Sequence, residues 1–198
     1  STIKYKNSGC TKPSSDPRHI KENILNRNFK AERPNLKWLT DVTEFKYYEG
    51  PVVHKLYLSA IIDLYDRRIV SYVISDRNNN EIVFDTFKIA IKQYPDAHPL
   101  VHSDRGFQYT TRTFQQILSD AGMVSSMSRV GRSTDNGPME GFWGMLKRER
   151  YYGNKFNSRK SLVSMIENYI AYYNNDRIQR KLGLLSPMEK YEEYLLAA

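Results

Sequence analysis

Cysteine is nearly absent: Cys10 is the only one in 198 residues. A disulfide framework is therefore excluded, and the usage fits a reducing compartment. Long apolar runs are missing as well. No stretch approaches the ~18 uncharged apolar residues of a membrane-spanning helix, and no signal-peptide core opens the chain. Internal repeats and low-complexity tracts are lacking, and so is an initiating Met, which reads as a fragment or a processed form. What the chain does have is aromatic residues at 13%, including 15 Tyr, within an apolar share of 40%. Such a composition excludes disorder as a general description. The length suits one domain of roughly 150–200 residues with its own core. The expectation is a soluble, intracellular, basic globular domain.

The charge is uneven along the chain. Lys and Arg number 30 against 22 Asp and Glu, for a net +8. Residues 1–37 carry +6, residues 38–128 carry −2, and residues 129–198 carry +4. Basic ends around a slightly acidic middle fit a nucleic-acid binder whose centre uses carboxylates for something else. Surface solvation is the alternative that charge alone leaves open.

Residues 1–36 contain Lys12-Pro13-Ser14-Ser15-Asp16-Pro17 and Arg33-Pro34-Asn35 and show no sustained periodicity. They read as an extended basic lead-in with one helical turn near 18–25. Strands are expected from Lys37 to Phe45, Val52 to Asp63 and Ile69 to Ser75, joined by short polar turns into an antiparallel meander. The period then changes. Helices are expected from Asn80 to about Tyr94 and from Thr110 to Ala121, alternating with short strands at Pro99–Ser103 and Met123–Met127. Asp135 and Asn136 offer caps for a helix running to about Glu149. Two more helices are expected near 159–174 and 186–195. This order gives an α/β fold, a five-stranded mixed sheet flanked by helices with a C-terminal helical extension.

Three acids stand out. Asp41 lies inside the first strand, where an uncompensated carboxylate is costly. Asp104 ends the fourth strand. Glu140 sits early on the helix after Asn136, at the edge of an apolar stripe formed by Met139, Phe142, Trp143 and Leu146. Gly144, Lys147 and Tyr151 share its face, and Gly144 leaves room for a close approach to the backbone. If the first and fourth strands are neighbours, the three acids converge. An all-oxygen acid set suits Mg²⁺ or Mn²⁺, and two such ions can drive an in-line phosphoryl displacement. Lys147, Arg148 and Arg150 on the same helix would hold DNA phosphates, as would Arg129 and Arg132 in the preceding loop. His102 and Asn136 are candidates for supporting groups, though His102 also fits a partly buried strand residue. Tyr151, Tyr152, Tyr172 and Tyr173 fit base stacking or, for most of them, core packing. Spacing alone leaves each acid open to a purely structural role.

The local wording narrows this. Thr40-Asp41-Val42-Thr43, His102-Ser103-Asp104-Arg105-Gly106-Phe107-Gln108-Tyr109 and Asp135-Asn136-Gly137-Pro138-Met139-Glu140-Gly141-Phe142-Trp143 together resemble the integrase catalytic core of bacterial insertion-sequence transposases, the D,D-35-E class. Between Asp104 and Glu140 lie 35 residues. The tail from Tyr172 to Pro187 resembles that family's C-terminal signature, with Gln179 standing where many relatives have His.

The resemblance implies an RNase H-like fold and a metal-dependent DNA strand-transfer enzyme. Asp41, Asp104 and Glu140 would be both catalytic residues and ligands to two Mg²⁺ or Mn²⁺ ions. Residues 1–36 would link to an upstream DNA-binding region, 37–157 would form the catalytic core, and 158–198 its helical extension. The implied partners are transposon-end and target DNA in a dimer or larger assembly, in the bacterial cytoplasm. A nuclease without joining activity and a non-catalytic DNA-binding module are the competing readings.

Overall fold

The computed structural model describes residues 20–197. Three long or medium strands open the fold: β1 (Lys37–Glu49), β2 (Val52–Asp63) and β3 (Ile69–Ser75). β1 and β2 pair antiparallel over their whole length, from Trp38 opposite Asp63 to Glu49 opposite Val52. Gly50, at φ +59°, makes the tight turn between them. β3 returns along β2 and completes the expected meander.

The chain then crosses the sheet through α1 (Asn80–Gln93) to β4 (Leu100–Ser103), and through α2 (Arg112–Asp120) to β5 (Val124–Met127). β4 pairs parallel to β1, and β5 parallel to β4, so the sheet order is β3-β2-β1-β4-β5. Parallel pairs need such crossover connections, which is why the period changes after Ser75. The five-stranded mixed sheet expected from the sequence is present. Side-chain caps fix both helix starts, that of α1 at Asn80 as expected and that of α2 two residues later than expected. Asn79 accepts from the Ile82 N–H ahead of α1, and Thr111 from the Phe114 N–H ahead of α2.

Alternation along β1 distributes its residues between two cores. Trp38 and Val42 face α1 and α2, packing with Val83, Phe87, Phe114 and Leu118. Leu39 and Phe45 face the other way, toward α3 (Gly137–Leu146) and α4 (Arg159–Asn175). Asp41, two residues from Leu39, belongs to that second face. The stripe Met139, Phe142, Trp143 and Leu146 is buried against it, as expected. α4 is docked on β3 by Asn174, whose side chain accepts from the Ile69 N–H at 2.8 Å and donates to the Ile69 carbonyl at 3.0 Å.

The helix expected from Asn136 to Glu149 differs in detail. A 3₁₀ turn, Ser133–Asn136, precedes α3, and a π turn, Lys147–Tyr151, follows it. The wider turn delivers Tyr151 to β1, where its hydroxyl accepts from the Lys46 N–H and donates to the Lys46 carbonyl. Asp135 and Asn136 do not cap the helix; neither side chain bonds a first-turn N–H. Both are used elsewhere, as described below.

A last helix, α5 (Pro187–Ala197), lies beyond a short 3₁₀ turn, Arg180–Leu182. The main chain of Gln179 bonds Leu185 and so closes the intervening loop. Among the described residues no helix is long and apolar enough to cross a membrane.

The helical turn expected near 18–25 is absent from residues 20–24, and a tight turn occupies 25–27 instead. This part of the lead-in packs on β5. Leu25 is 2% exposed, and Met127 N–H donates to the Glu22 carbonyl. Cys10 and the Lys12–Pro17 stretch lie outside the described residues.

Candidate active site

Asp41 and Asp104 are brought together by strand register. Leu39 of β1 lies level with His102 of β4, and carrying that parallel register two residues onward sets Asp41 beside Asp104. Adjacent strands are about 4.8 Å apart, so the two carboxylates are near neighbours. Asp41 accepts from its neighbour Val42 N–H at 2.8 Å and from the Trp143 indole N–H at 3.0 Å. Asp104, just past the end of β4, accepts from the Gly106 N–H at 2.7 Å.

Glu140 reaches the same region from α3. Trp143, three residues on, is its neighbour on the helix surface and is the residue that bonds Asp41. The Glu140 side chain itself is exposed, at the margin of the buried stripe. Its negative charge, like that of Asp104, bears on Asp41.

The electrostatics follow. Burial, then the Asp104 charge and more weakly that of Glu140, push the Asp41 carboxyl up to about 8, against the opposing pull of the Val42 and Trp143 N–H groups. Acids that resist ionising together are stabilised in their charged form by a cation between them. Its oxygen-only donors match a hard divalent cation and not a soft one. Among the described residues, however, no three His, Cys, Asp or Glu side chains are already gathered closely enough to hold a metal ion. Asp41 and Asp104 form the fixed pair, and Glu140 lies at its edge.

A stability consequence can be measured. With a native pKa raised above its unfolded value, Asp41 binds a proton in the folded state that the unfolded chain has already lost. Its contribution therefore falls as pH rises from about 4 to about 8. Asp41→Asn is expected to be more stable than the native chain at pH 8 without divalent ions, and the difference should shrink at pH 5. Urea denaturation at the two pH values checks this; a difference independent of pH would contradict it.

The remaining site residues fall into two groups. Lys147 is turned inward: its Nζ donates to Thr43 Oγ1 at 2.7 Å and sits 5.1 Å from the centre of the Phe45 ring. Arg129 is bound to Asp135 through Nε and Nη2, at 2.9 and 2.8 Å. Arg148 lies against Gly144, filling the space that glycine leaves, so the room expected there is occupied by the protein itself. Arg132 and Arg150 are exposed, the latter beside a groove with Lys155, Asn157 and Ser158. Of the tyrosines, Tyr173 is buried and Tyr151 packs on Phe45 and Phe156, whereas Tyr152 and Tyr172 face solvent.

His102 is fully buried, more so than expected, and its ring nitrogens meet Ser126 Oγ at 2.9 Å and Ser128 Oγ at 3.1 Å. Burial pushes its pKa down to about 4, so it is neutral near pH 7. Asn136 donates to the Thr40 carbonyl at 3.2 Å, one residue from Asp41. Two contributors escape a sequence reading: the Trp143 N–H, hidden inside an apolar stripe, and Asp135, whose ionic partners include the distant Arg27. The cations flanking Asp135 at 129 and 132 are the only local signal of its role.

Comparison with known proteins gives a consistent picture. A model of the integrase core domain matches residues 31–133, and a second integrase core domain model matches 140–196. An uncharacterized transposase-like protein of Haemophilus influenzae is 45% identical over 170 residues, which cover 86% of this chain and 77% of that protein. The transposase of insertion sequence element IS904 from Lactococcus lactis is 39% identical over 174 residues, covering 87% of this chain and 67% of its own length. Of a relative from insertion sequence element IS150 in Escherichia coli, the chain spans only 58%. Among solved structures, the HTLV-2 integrase catalytic core domain in complex with magnesium superposes with a TM-score of 0.64 at 19% identity, covering 82% of this chain and 99% of that one. That likeness establishes the RNase H-like fold of retroviral integrase cores.

Proposed function

Because this chain belongs to the integrase core domain family, as the core of a DDE-type insertion-sequence transposase, we propose that it cuts DNA and joins a 3′-OH end to a new phosphodiester. The observation that carries this is the meeting of Asp41 and Asp104 on neighbouring strands, with the charge of Glu140 bearing on Asp41. Asp41, Asp104 and Glu140 would hold Mg²⁺ or Mn²⁺, two ions per site. Bound there, the ions would supply activation of the attacking oxygen and neutralisation of the leaving one. The magnesium of the HTLV-2 core supports that choice of metal.

The chain's own residues do the rest. Trp143 and Val42 orient the Asp41 carboxylate, and the Gly106 N–H fixes Asp104. Asn136 and Lys147 pin both ends of α3 to β1, through Thr40 and Thr43, so that Glu140 is carried on a docked helix. Arg132, Arg148 and Arg150 are the cations we assign to phosphate contact, with Arg129 and Lys147 contributing mainly through the folds they hold. Residues 1–36 would connect to an upstream DNA-binding region, 37–157 form the core and 158–198 extend it. Transposon ends and target DNA are the substrates, held by a dimer or larger assembly in the bacterial cytoplasm.

The test incubates the protein with DNA carrying a pre-exposed 3′ element end, a target duplex and Mn²⁺. Joined product is the expected result. Cleavage without joining would replace this function by that of a nuclease. Affinity for the DNA should fall steeply with added salt, and Arg150→Ala should reduce that slope by about one phosphate contact.

A further inference from the structure

We propose that the segment Asn23–Arg27 is a strap that positions Glu140, with Asp135 as the positioning residue through which it acts. The proposal rests on Glu140 being a metal ligand. Asp135 is completely buried and lies two residues before α3. Its Oδ1 accepts from Arg27 Nε at 2.6 Å and Arg129 Nη2 at 2.8 Å. Its Oδ2 accepts from Asn23 Nδ2 at 3.0 Å, Arg129 Nε at 2.9 Å and the Arg129 N–H at 3.1 Å. Arg27 also donates through Nη2 to Thr134 Oγ1 at 2.8 Å. Five donors on one buried carboxylate hold its pKa far below the usual range, so the network stays charged at any working pH.

The same segment grips β5, the strand paired with the one that leads to Asp104. Ile24 N–H and Leu25 N–H both donate to Ser126 Oγ, at 3.0 and 3.1 Å. A hydroxyl has two acceptor sites and one proton, so Ser126 must donate that proton to His102 Nδ1. His102 is then protonated at Nε2 and donates to Ser128 Oγ. His102 stands two residues before Asp104. One short stretch thus ties the Asp104 strand to the start of the Glu140 helix, whose Asn136 holds the carbonyl next to Asp41.

Backbone conformation supports the strap independently. Asn26 and Arg27 both adopt left-handed conformations, at φ +44° and +60°, a pairing that non-glycine residues rarely sustain without compensation. Here the compensation is the reach of Arg27 to Asp135. Because the Arg27 side chain is 44% exposed, it can be removed without opening a cavity.

The experiment compares the native chain with Arg27→Ala, Arg27→Gly, Arg27→Lys and Glu140→Gln. Mn²⁺ binding is followed by the paramagnetic resonance signal of the free ion, and amide exchange by mass at residues 137–141. Arg27→Gly relieves the left-handed backbone, so it keeps the turn while losing the guanidinium. The expected result is about tenfold weaker Mn²⁺ binding and faster exchange at 137–141 for the Ala and Gly variants. Arg27→Lys should remain close to native. A folded Arg27→Gly protein with native Mn²⁺ affinity and native exchange would overturn the strap. So would loss of DNA affinity at unchanged Mn²⁺ affinity, which would make Arg27 a phosphate contact. If Glu140→Gln binds Mn²⁺ like the native chain, the underlying assignment of Glu140 fails; if it weakens binding and Arg27→Gly does not, only the strap fails.

Discussion

Asp104→Asn should eliminate joined DNA product, by more than the roughly 100-fold that loss of a supporting residue costs a metal site. The substitution keeps the shape of the side chain and its acceptance from the Gly106 N–H, so the fold should survive. What it removes is the negative charge beside the Asp41 carboxyl. The Asp41 carboxyl should then ionise more readily, because the Asp104 charge is the second cause of its upward shift after burial. Loss of joining together with a lowered Asp41 pKa, read by carboxyl NMR, would show that the two acids act as a pair. Retained joining would remove Asp104 from the reaction.

The second large effect is on stability, at a buried charge cluster outside the candidate site. Arg68 is buried with Asp63 and Asp66, which are themselves inaccessible. It bonds Asp66 through Nη1, lies 4.0 Å from Asp63, and donates to Asn35 Oδ1 at 2.8 Å. The Tyr191 ring from α5 covers its guanidinium at 3.9 Å, and Tyr94 lies at 5.0 Å. Arg68→Met is expected to cost about 3–5 kcal/mol, because two buried carboxylates lose their cation. Burial and the Asp63 charge push Asp66 up to about 7 even with Arg68 present. A raised native pKa means stability lost as pH rises, so the defect should be larger at pH 8 than at pH 5. Adding Asp63→Asn and Asp66→Asn should restore part of the loss. Urea denaturation decides; a change below about 1 kcal/mol would show that the cluster is not held by its charge.

How much of this could be read from sequence depends on the range of the interaction. The meander was legible because alternation and polar turns are local, and the acids because their surrounding words are unusual. The stripe Met139, Phe142, Trp143 and Leu146 was legible from helical period alone. The same period concealed the Trp143 N–H, since an indole counts as apolar until its partner, 102 residues away, is known. Asp135 reads as a cap because its neighbours are turn residues, while one of its strongest partners, Arg27, lies 108 residues distant. The docking of the lead-in leaves no periodic trace, because it rests on two backbone bonds to Ser126. Its helix face marks Lys147 as a phosphate contact; the Thr43 hydroxyl and the Phe45 ring on β1 draw it inward.

The most direct test is the position of Mn²⁺, located by anomalous scattering, in crystals of this chain with DNA carrying an element end. The expected result is Mn²⁺ between the carboxylates of Asp41 and Asp104, with Glu140 drawn in as a ligand beside the scissile phosphate. Mn²⁺ bound elsewhere, or an ordered Glu140 more than about 10 Å from both aspartates, would contradict a shared two-ion site.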